Sequence, residues 1–291
     1  MLKICRRKAI VGAILTLASA TLWRKIMTDT KSSKERMPIL FIGHGSPMNA
    51  IEKNEFTESL SKLSSALPRP KAVLMISAHW ETEGTWVTGM NNPKTIHDFY
   101  GFPKPLFDVQ YPAPGDSSLA IDISSSVRDF KIEIDKNNWG LDHGTWSVLR
   151  HIYPEADVPV IQLSLDKTKS IEYHFELGQK IKYLRDNGVM IIGSGNIVHN
   201  LGELNWGENA KPHEWAIEFD EWVKGKLVER NFNSLVTDPL KSREGKLSIP
   251  TLEHYLPLLY VLGASGKDDK LLFDYEGIQN SSISMRCLRL T

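Results

Sequence analysis

The chain has 291 residues, of which 41% are hydrophobic and 24% charged, a composition typical of a soluble globular protein. That length suits one large α/β domain better than two, and no repeat or low-complexity tract indicates a fibre or a solenoid. The formal net charge is zero, but residues 1–36 contain nine Lys/Arg and two acidic residues, which leaves 26 basic and 33 acidic residues from 37 onward. An acidic body without a basic cluster argues against nucleic acid as a partner.

The first 36 residues have the layout of a signal peptide. A basic start with Arg6 and Arg7 precedes an apolar run from Ala9 to Leu22 and a small-residue site at 18–20. The run is shorter than the roughly 20 residues that a spanning helix requires, so we expect no stable membrane association after leader removal. The paired arginines resemble a twin-arginine leader and predict export to the periplasm, with a cytoplasmic protein as the alternative. We expect a leader over 1–36 and one domain over 37–291.

Short apolar runs that end at glycine, serine or histidine predict buried strands, and segments between them have the apolar spacing of helices. The predicted strands are 38–42, 72–76, 158–163 and 189–192, and the predicted helices are 55–66 and about 170–187. Strands that alternate with helices form parallel sheets covered by those helices. The sequence therefore predicts an α/β fold, a single domain with a central, mostly parallel sheet flanked by helices.

Three further segments have distinct patterns. Residues 91–114 are rich in Pro, Gly and aromatic residues and predict a long ordered loop, of a kind that is usually functional. Residues 251–263 predict a late helix bounded by Pro250 and Gly263. The alternation over 282–287 predicts an edge strand.

The positions of the histidines relative to the predicted strands point to a metal site. His44, His79 and His199 each follow an apolar strand within a few residues. The carboxyl ends of parallel strands line one crevice, so we expect these three imidazoles to converge there, with His254 beside Glu253 completing the set. Any one of them alone is as easily explained as a loop histidine bonded to the backbone. Together they favour Fe, Zn, Cu or Ni over Mg or Ca, which prefer oxygen ligands.

Other candidate groups are weaker. Cys287 is the one cysteine beyond the leader, so a cysteine metal site is not available there. His143 lies among glycines and tryptophans and is either a proton carrier in a water-poor pocket or a turn histidine that caps the next helix. His97 and Asp98, in the long loop, are weak candidates for substrate contacts. The helical spacing around His174 predicts a core histidine.

Seven motifs resemble the DOPA 4,5-dioxygenase extradiol family of class III ring-cleavage enzymes, which belongs to the LigB-like superfamily. They are GHGSPMNAIE (43–52), SAHWET (77–82), TIHDFYGFP (95–103), YPAPG (111–115), GLDHGTW (140–146), GSGNIVHNL (193–201) and PTLEHYLPLLYVLGA (250–264). The resemblance covers about residues 37–290, which would be the catalytic domain.

The resemblance implies one divalent metal held by His44, His79 and His254, with His199 as a fourth ligand or as the catalytic acid/base. It implies that His143 orients or deprotonates the substrate. Fe(II) is expected for activity, with Zn(II) as an alternative bound ion, and the partners are O2 and a small aromatic diol. The expected reaction is 4,5-cleavage of a catechol such as L-DOPA to a semialdehyde.

Two alternatives stay open at this point. The same histidines in a zinc-dependent hydrolase would lower the pKa of a bound water towards about 7. A non-enzymatic metal- or peptide-binding module is the second alternative, because a fold does not guarantee a chemistry. The wider class uses two histidines and one carboxylate at iron, so the role of Glu253 is also open.

Overall fold

A computed structural model describes residues 36–207 and 210–291. The predicted leader lies outside the described residues, apart from its last residue. None of the helices in the described ranges is long and apolar enough to cross a membrane.

An eight-stranded sheet with the order β4-β3-β5-β2-β6-β1-β10-β7 forms the centre of the domain. Its strands are β1 (Ile39–Gly43), β2 (Ala72–Thr82), β3 (Thr85–Thr88), β4 (Ile132–Asp135), β5 (Val160–Asp166), β6 (Val189–Gly195), β7 (Leu271–Tyr275) and β10 (Cys287–Leu290). A separate pair consists of β8 (Ile278–Gln279) and β9 (Ile283–Ser284). The four central strands β5, β2, β6 and β1 are mutually parallel, and antiparallel pairs join them to the outer strands.

Helices cover both faces of this sheet. They are α1 (Glu55–Ala66), α2 (Lys104–Phe107), α3 (Ser117–Ser126), α4 (His143–Ile152), α5 (Ile171–Ile181), α6 (Tyr183–Asp186), α7 (Glu214–Val228), α8 (Phe232–Thr237), α9 (Arg243–Ser248) and α10 (Leu256–Gly263). Successive strand residues point to opposite faces, so two apolar cores form. Ile39 and Phe41 of β1 join the core that contains α5 and α10, whereas Leu40 and Ile42 join the core that contains α1 and α4. The predicted α/β fold is confirmed.

The bounds of α1 match those of the helix predicted over 55–66, and the local sequence explains where this helix begins. Asn54 caps α1 by accepting a hydrogen bond from the backbone of Thr57, and the Thr57 side chain accepts one from the backbone of Asn54. Glu55 and Glu58 add negative charge to the first turn, where the helix dipole favours it. Phe56, Leu60 and Leu63 then pack into the core.

The structure corrects three predictions about helices and strands. The helix predicted over 170–187 is divided into α5 and α6. The late helix begins at Leu256, because residues 251–255 form turns that carry His254. The edge strand predicted over 282–287 is wrong. Ile283–Ser284 pair with β8 and form an isolated antiparallel bridge to His199, and the chain re-enters the sheet as β10, an interior strand between β1 and β7. Its Cys287 and Leu288 are fully buried because both of its sides are paired.

A buried arginine fixes the segment between β9 and β10. Arg286 is 1% exposed and its Nε lies 3.1 Å from both carboxylate oxygens of Asp220 on α7. The guanidinium also contacts Glu221 and Glu276, and the Ser284 hydroxyl donates to Asp220 at 2.6 Å. The Ser284 carbonyl in turn accepts from the Asn196 side chain at 2.7 Å, which ties this segment to the end of β6.

We predict that Arg286→Met lowers the free energy of unfolding by about 3–5 kcal/mol, because Asp220 is left buried without its cationic partner. Urea denaturation of the full chain measures the change. Arg128→Met, at an exposed arginine, is the matched control and is expected to change stability by less than about 0.5 kcal/mol. Equal stability of the two variants would contradict the role given to Arg286.

Candidate metal centre

Three of the four histidines predicted as ligands lie at the carboxyl ends of adjacent strands. His44 directly follows β1, His79 lies near the end of β2, and His199 is in the segment after β6. His254 reaches the same place from the turn before α10. The backbone of this turn is bonded to the residue after β6, because the His254 carbonyl accepts a hydrogen bond from the Asn196 N–H at 2.9 Å. The structure therefore brings all four predicted histidines to one crevice.

The rings of His44, His79 and His254 form a nearly equilateral triangle. Their centroids are separated by 5.0 Å, 5.1 Å and 5.3 Å. Three imidazoles that bind one ion through Nε2 at roughly 2.0–2.1 Å with tetrahedral angles have centroids about 5 Å apart and nitrogens about 3.3 Å apart. The Nε2 atoms of His44 and His79 are separated by 3.0 Å. These three residues can thus hold one metal ion.

The outer nitrogens of His44 and His254 have hydrogen-bond partners that fix the tautomers of these two rings. The Ser194 hydroxyl donates to the Gly144 carbonyl at 2.6 Å, so His44 Nδ1, 3.0 Å away, must donate to that hydroxyl. His254 Nδ1 donates to Glu253 at 3.0 Å, and His79 Nδ1 lies 3.5 Å from Asp98. His44 and His254 therefore carry their protons on Nδ1, which leaves the Nε2 lone pair of each of these rings free for a metal.

The inner nitrogens of His44 and His79 are close enough to share a proton or a cation. His44 Nε2 and His79 Nε2 face one another at 3.0 Å, where either a hydrogen bond from His79 or a shared cation satisfies the lone pair of His44. Burial lowers the pKa of both histidines, and the neighbouring histidines lower it further. Both rings are consequently neutral, which is the form that binds a metal.

Glu253 stays ionised beside this triangle. Burial raises the pKa of the carboxyl, but the hydrogen bonds that it accepts from His254, from its own backbone and from Thr251 outweigh burial and lower it to about 2. The carboxylate is bonded to the outer nitrogen of His254 and also accepts from Thr251 at 2.9 Å. Glu253 therefore orients His254, as carboxylates behind metal-binding histidines commonly do.

Two more histidines pack against the triangle. His199 stacks on His254 with centroids 3.4 Å apart and an interplanar angle of 9°, and His143 lies 3.9 Å from His79. Both separations are well below the roughly 5 Å expected for two ligands of a tetrahedral ion. Ligand atoms of His44, His79 and His143 do fall within 4.8 Å of one another, as do those of His199, Glu253 and His254. We favour the triangle because its spacing fits all three rings.

A carboxylate holds His143 in place. Asp98 accepts from the backbone N–H of His143 at 2.8 Å and from its Nδ1 at 2.8 Å. Burial raises the pKa of Asp98, but the side-chain and backbone hydrogen bonds from His143 outweigh it and lower the pKa, so the carboxylate is ionised. Asp142 caps α4 at the same point and accepts from Gln162 of β5 at 2.7 Å. His143 thus presents Nε2 to the crevice.

Glycine is required where backbones approach the site. A Cβ at Gly195 would lie 2.2 Å from the His254 carbonyl oxygen, so a side chain there would displace the His254 turn. A Cβ at Gly144 would lie 2.9 Å from Cδ2 of His79. The lack of a side chain at Gly195 and Gly144 therefore allows the backbone to lie close to His254 and His79.

The histidines line the floor of a cavity of about 450 Å³. Its walls are mainly apolar and aromatic, and they include Pro47, Phe99, Phe102, Leu204 and Ile283. Such a cavity is in the size range of small-molecule sites, and its few polar groups converge at one end.

His97 and Asp98, the weak candidates for substrate contacts, have different surroundings in the structure. Asp98 lines the cavity, although its oxygens are occupied by His143. His97 does not line it: its Nε2 lies 3.0 Å from the Val109 carbonyl, and its ring packs against Trp146. His174 is fully buried and bonded to Tyr260, as predicted for a core histidine.

Sequence reasoning missed the residues that support or surround the histidines. Ser194 fixes the tautomer of His44, and Tyr100 and Trp206 stand at the cavity mouth. Tyr100 and Trp206 could have been found as large aromatic residues in polar or Gly/Pro-rich loops, because exposed residues of this kind often mark binding surfaces. No sequence pattern distinguished Ser194 from any other strand serine.

Comparison with known proteins agrees with this geometry. The family model described as "Catalytic LigB subunit of aromatic ring-opening dioxygenase" matches residues 38–285. The chain belongs to the LigB family. It is an oxidoreductase of the dioxygenase type, and the resemblance noted in the sequence is confirmed.

Individual relatives of this LigB protein cover most of its length. The "4,5-DOPA dioxygenase extradiol" of Escherichia coli (strain K12) is 46% identical over 91% of this chain and 98% of its own. The protein of the same name from Beta vulgaris is 40% identical over 79% of this chain and 87% of its own. The crystal structure of an uncharacterized Escherichia coli K12 protein, 44% identical, superposes with a TM-score of 0.77 over 88% of this chain and all of that chain.

We predict that His44→Ala, His79→Ala and His254→Ala each weaken metal binding by more than about 100-fold, since even residues behind a ligand contribute roughly 10- to 100-fold. Titration with Zn(II) under a competing chelator measures the affinity, and the wild-type chain should bind one ion. His213→Ala is the control, because His213 bonds to the Glu203 carbonyl away from the triangle. Unchanged affinity in two of the three variants would refute the assignment.

Proposed function

We propose that this LigB protein is an extradiol dioxygenase that uses Fe(II) and O2 to open the ring of a catechol such as L-DOPA, by 4,5-cleavage to a semialdehyde. One observation carries the proposal. Three inward-facing imidazole nitrogens form a metal-binding triangle at the floor of an apolar cavity, and two further histidines flank that triangle. The names of the relatives from Escherichia coli and Beta vulgaris support the same reaction class.

In this proposal His44, His79 and His254 hold the ion. Three neutral nitrogen ligands leave coordination positions open for a substrate that chelates through two oxygens. Iron, when bound, supplies the one-electron chemistry that lets an aromatic ring react with O2, which zinc does not supply. The remaining roles fall to side chains of the cavity.

His143 is the proposed base. Its Nδ1–H is donated to ionised Asp98, which leaves Nε2 as an acceptor for a phenolic proton of the incoming diol. The charge of Asp98 stabilises the imidazolium that forms when that proton is taken. The apolar walls limit access of water to the deprotonated ring.

His199 is the proposed acid on the opposite side. Its ring is stacked on His254 and lines the cavity, and its backbone N–H is bonded to the Ser248 carbonyl at 2.9 Å. That bond and the stacking hold the ring beside the substrate position. In the proposed reaction His199 would give a proton to one oxygen atom as the O–O bond of dioxygen breaks, and both oxygen atoms would end in the product.

We predict that the full chain, loaded with Fe(II) under argon and then exposed to air, consumes one O2 per L-DOPA or simple catechol and forms a yellow ring-opened product. An oxygen electrode and visible absorbance measure the two quantities. The zinc-loaded chain is the control for metal chemistry, and His199→Ala is expected to lose roughly 100-fold or more of the rate. Oxygen-independent hydrolysis by the zinc form would favour a hydrolase, and metal binding without turnover of any catechol would favour a binding module.

We also predict that Asp98→Asn lowers kcat by at least about tenfold while KM changes by less than about threefold, because general-base catalysis contributes roughly 100- to 10,000-fold and depends on the orientation of His143. Steady-state O2 uptake at saturating Fe(II) separates the two constants. Asp108→Asn is the matched control in the same loop, since Asp108 is exposed and paired with Lys104. A parallel loss in both variants would indicate a general effect on the loop.

A further inference from the structure

A second cavity of about 450 Å³ lies at the end of α10 that is remote from His254. Gly263, the last residue of α10, lines this cavity, whereas His254 precedes the first turn of the same helix. No residue that lines this cavity also lines the cavity of the metal centre. Its volume is in the range of roughly 300–1,000 Å³ that is usual for small-molecule sites.

Three basic side chains from separate segments of the chain line this second cavity. Lys182 directly follows α5, Arg230 follows α7, and Lys267 lies in the turn after α10. Among the residues that the structure describes, no carboxylate lines the cavity. The body of the chain has more acidic than basic residues, so its composition does not explain this concentration of positive charge. The cavity is called the basic pocket below.

The end of α10 accounts for only part of this arrangement. Lys182 Nζ donates to the Ser265 carbonyl at 2.6 Å, and Arg230 donates to the carbonyls of Gly266 and Asp269. Basic side chains commonly bond to the carbonyls at the end of a helix. A carbonyl carries only a partial charge, however, and lysine has three N–H donors and arginine five. The carbonyls therefore hold the two side chains in place without neutralising them.

The carboxylates that directly follow Lys267 in the chain do not line the basic pocket. The Asp269 carboxylate accepts from the Gly266 N–H at 2.7 Å and is paired with the fully buried Arg185, which balances its charge. Asp268 is exposed to solvent. An anion that enters the pocket thus meets the cations with no carboxylate between them in the described part of the chain.

The backbone and an aromatic ring fix the position of Arg230. Its φ is 55°, in the left-handed region that favours glycine, and residues other than glycine that are held there often have a functional role. The guanidinium lies 5.2 Å from the centre of the Phe232 ring, and Phe175 adds a second aromatic side chain to the lining. A planar guanidinium presents paired N–H donors that match the oxygens of a phosphate or a carboxylate.

We propose that the basic pocket binds a small organic anion that has a phosphate or carboxylate head group and an aromatic or apolar body. The head group would contact Lys182 and Arg230, which are bonded to consecutive carbonyls of the chain and therefore lie close together. The body would contact Phe175 and Phe232. We expect phosphate to be the preferred head group, because its larger negative charge interacts more strongly with several cations.

Calorimetry on the full chain with four probes tests this proposal. The probes are phenyl phosphate, benzoate, inorganic phosphate and the neutral benzyl alcohol. Phenyl phosphate should bind about tenfold more tightly than inorganic phosphate, as partial burial of a phenyl ring predicts, and benzyl alcohol should not bind measurably. Tighter binding of benzoate than of phenyl phosphate would support the pocket and assign it a carboxylate head group. Benzyl alcohol that binds as tightly as the anions, or no binding of any anion at millimolar concentration, would overturn the proposal.

Variants of the cations test where the anion binds. Lys182→Met and Arg230→Met should each weaken binding of phenyl phosphate by at least about tenfold, because each removes a charge-assisted hydrogen bond. Lys267→Met, at an exposed side chain, gives a further test that does not disturb the bonds at the end of α10. Lys180→Met is the matched control, since Lys180 is paired with Asp129 and does not line the pocket. Unchanged affinity in both Lys182→Met and Lys267→Met would overturn the proposal.

A variant of the metal centre separates the two sites, because phosphate and benzoate can also bind a metal ion. His44→Ala should keep its affinity for phenyl phosphate, since His44 lines only the cavity of the metal centre. Loss of binding in His44→Ala together with full affinity in Lys182→Met would assign the anion to the metal centre and refute the basic pocket. Failure of catechol turnover would refute the proposed function and leave these binding results unaffected.

Discussion

The rest of this structure depends on one requirement, which is to hold three neutral imidazoles close enough to share one metal ion. The nitrogens of His44 and His79 face one another at 3.0 Å, close enough to bind one ion. Ser194 fixes the tautomer of His44, Asp98 lies 3.5 Å from the outer nitrogen of His79, and burial keeps both rings uncharged. A change to any of these outer partners would act on the metal through the ring that it orients.

The central sheet provides the rigid frame that this constraint needs. The adjacent parallel strands β5, β2, β6 and β1 end on the same side, and each contributes to the centre. β1 leads to His44 and β2 carries His79, whereas β6 supports the His254 turn and β5 holds the start of α4 through Gln162. Catalytic groups at the ends of several parallel strands are the usual arrangement in open α/β sheets. Here they leave one side of the metal triangle open to an apolar cavity.

Some residues of the site could be predicted from the sequence, and others could not. His44 and His199 were predicted because a strand, recognisable as an apolar run, leads to each of them. The strand after 282 was misplaced, since alternation reports one-sided burial and does not report which strands will be neighbours. His97 was grouped with Asp98 because they are adjacent in the chain, yet the loop turns one side chain to the Val109 carbonyl and the other to His143.

The sequence by itself determined the fold class, the convergence of the histidines and, through seven ordered motifs, the LigB family, because strand periodicity and residue type are local properties. Only the tertiary structure decided which rings can share an ion and which stack on them. That distinction depends on separations of 5.0 Å as against 3.4 Å between residues far apart in the chain. The tautomers of His44 and His254 and the apolar walls of the cavity arise in the same way, from contacts that no local pattern encodes.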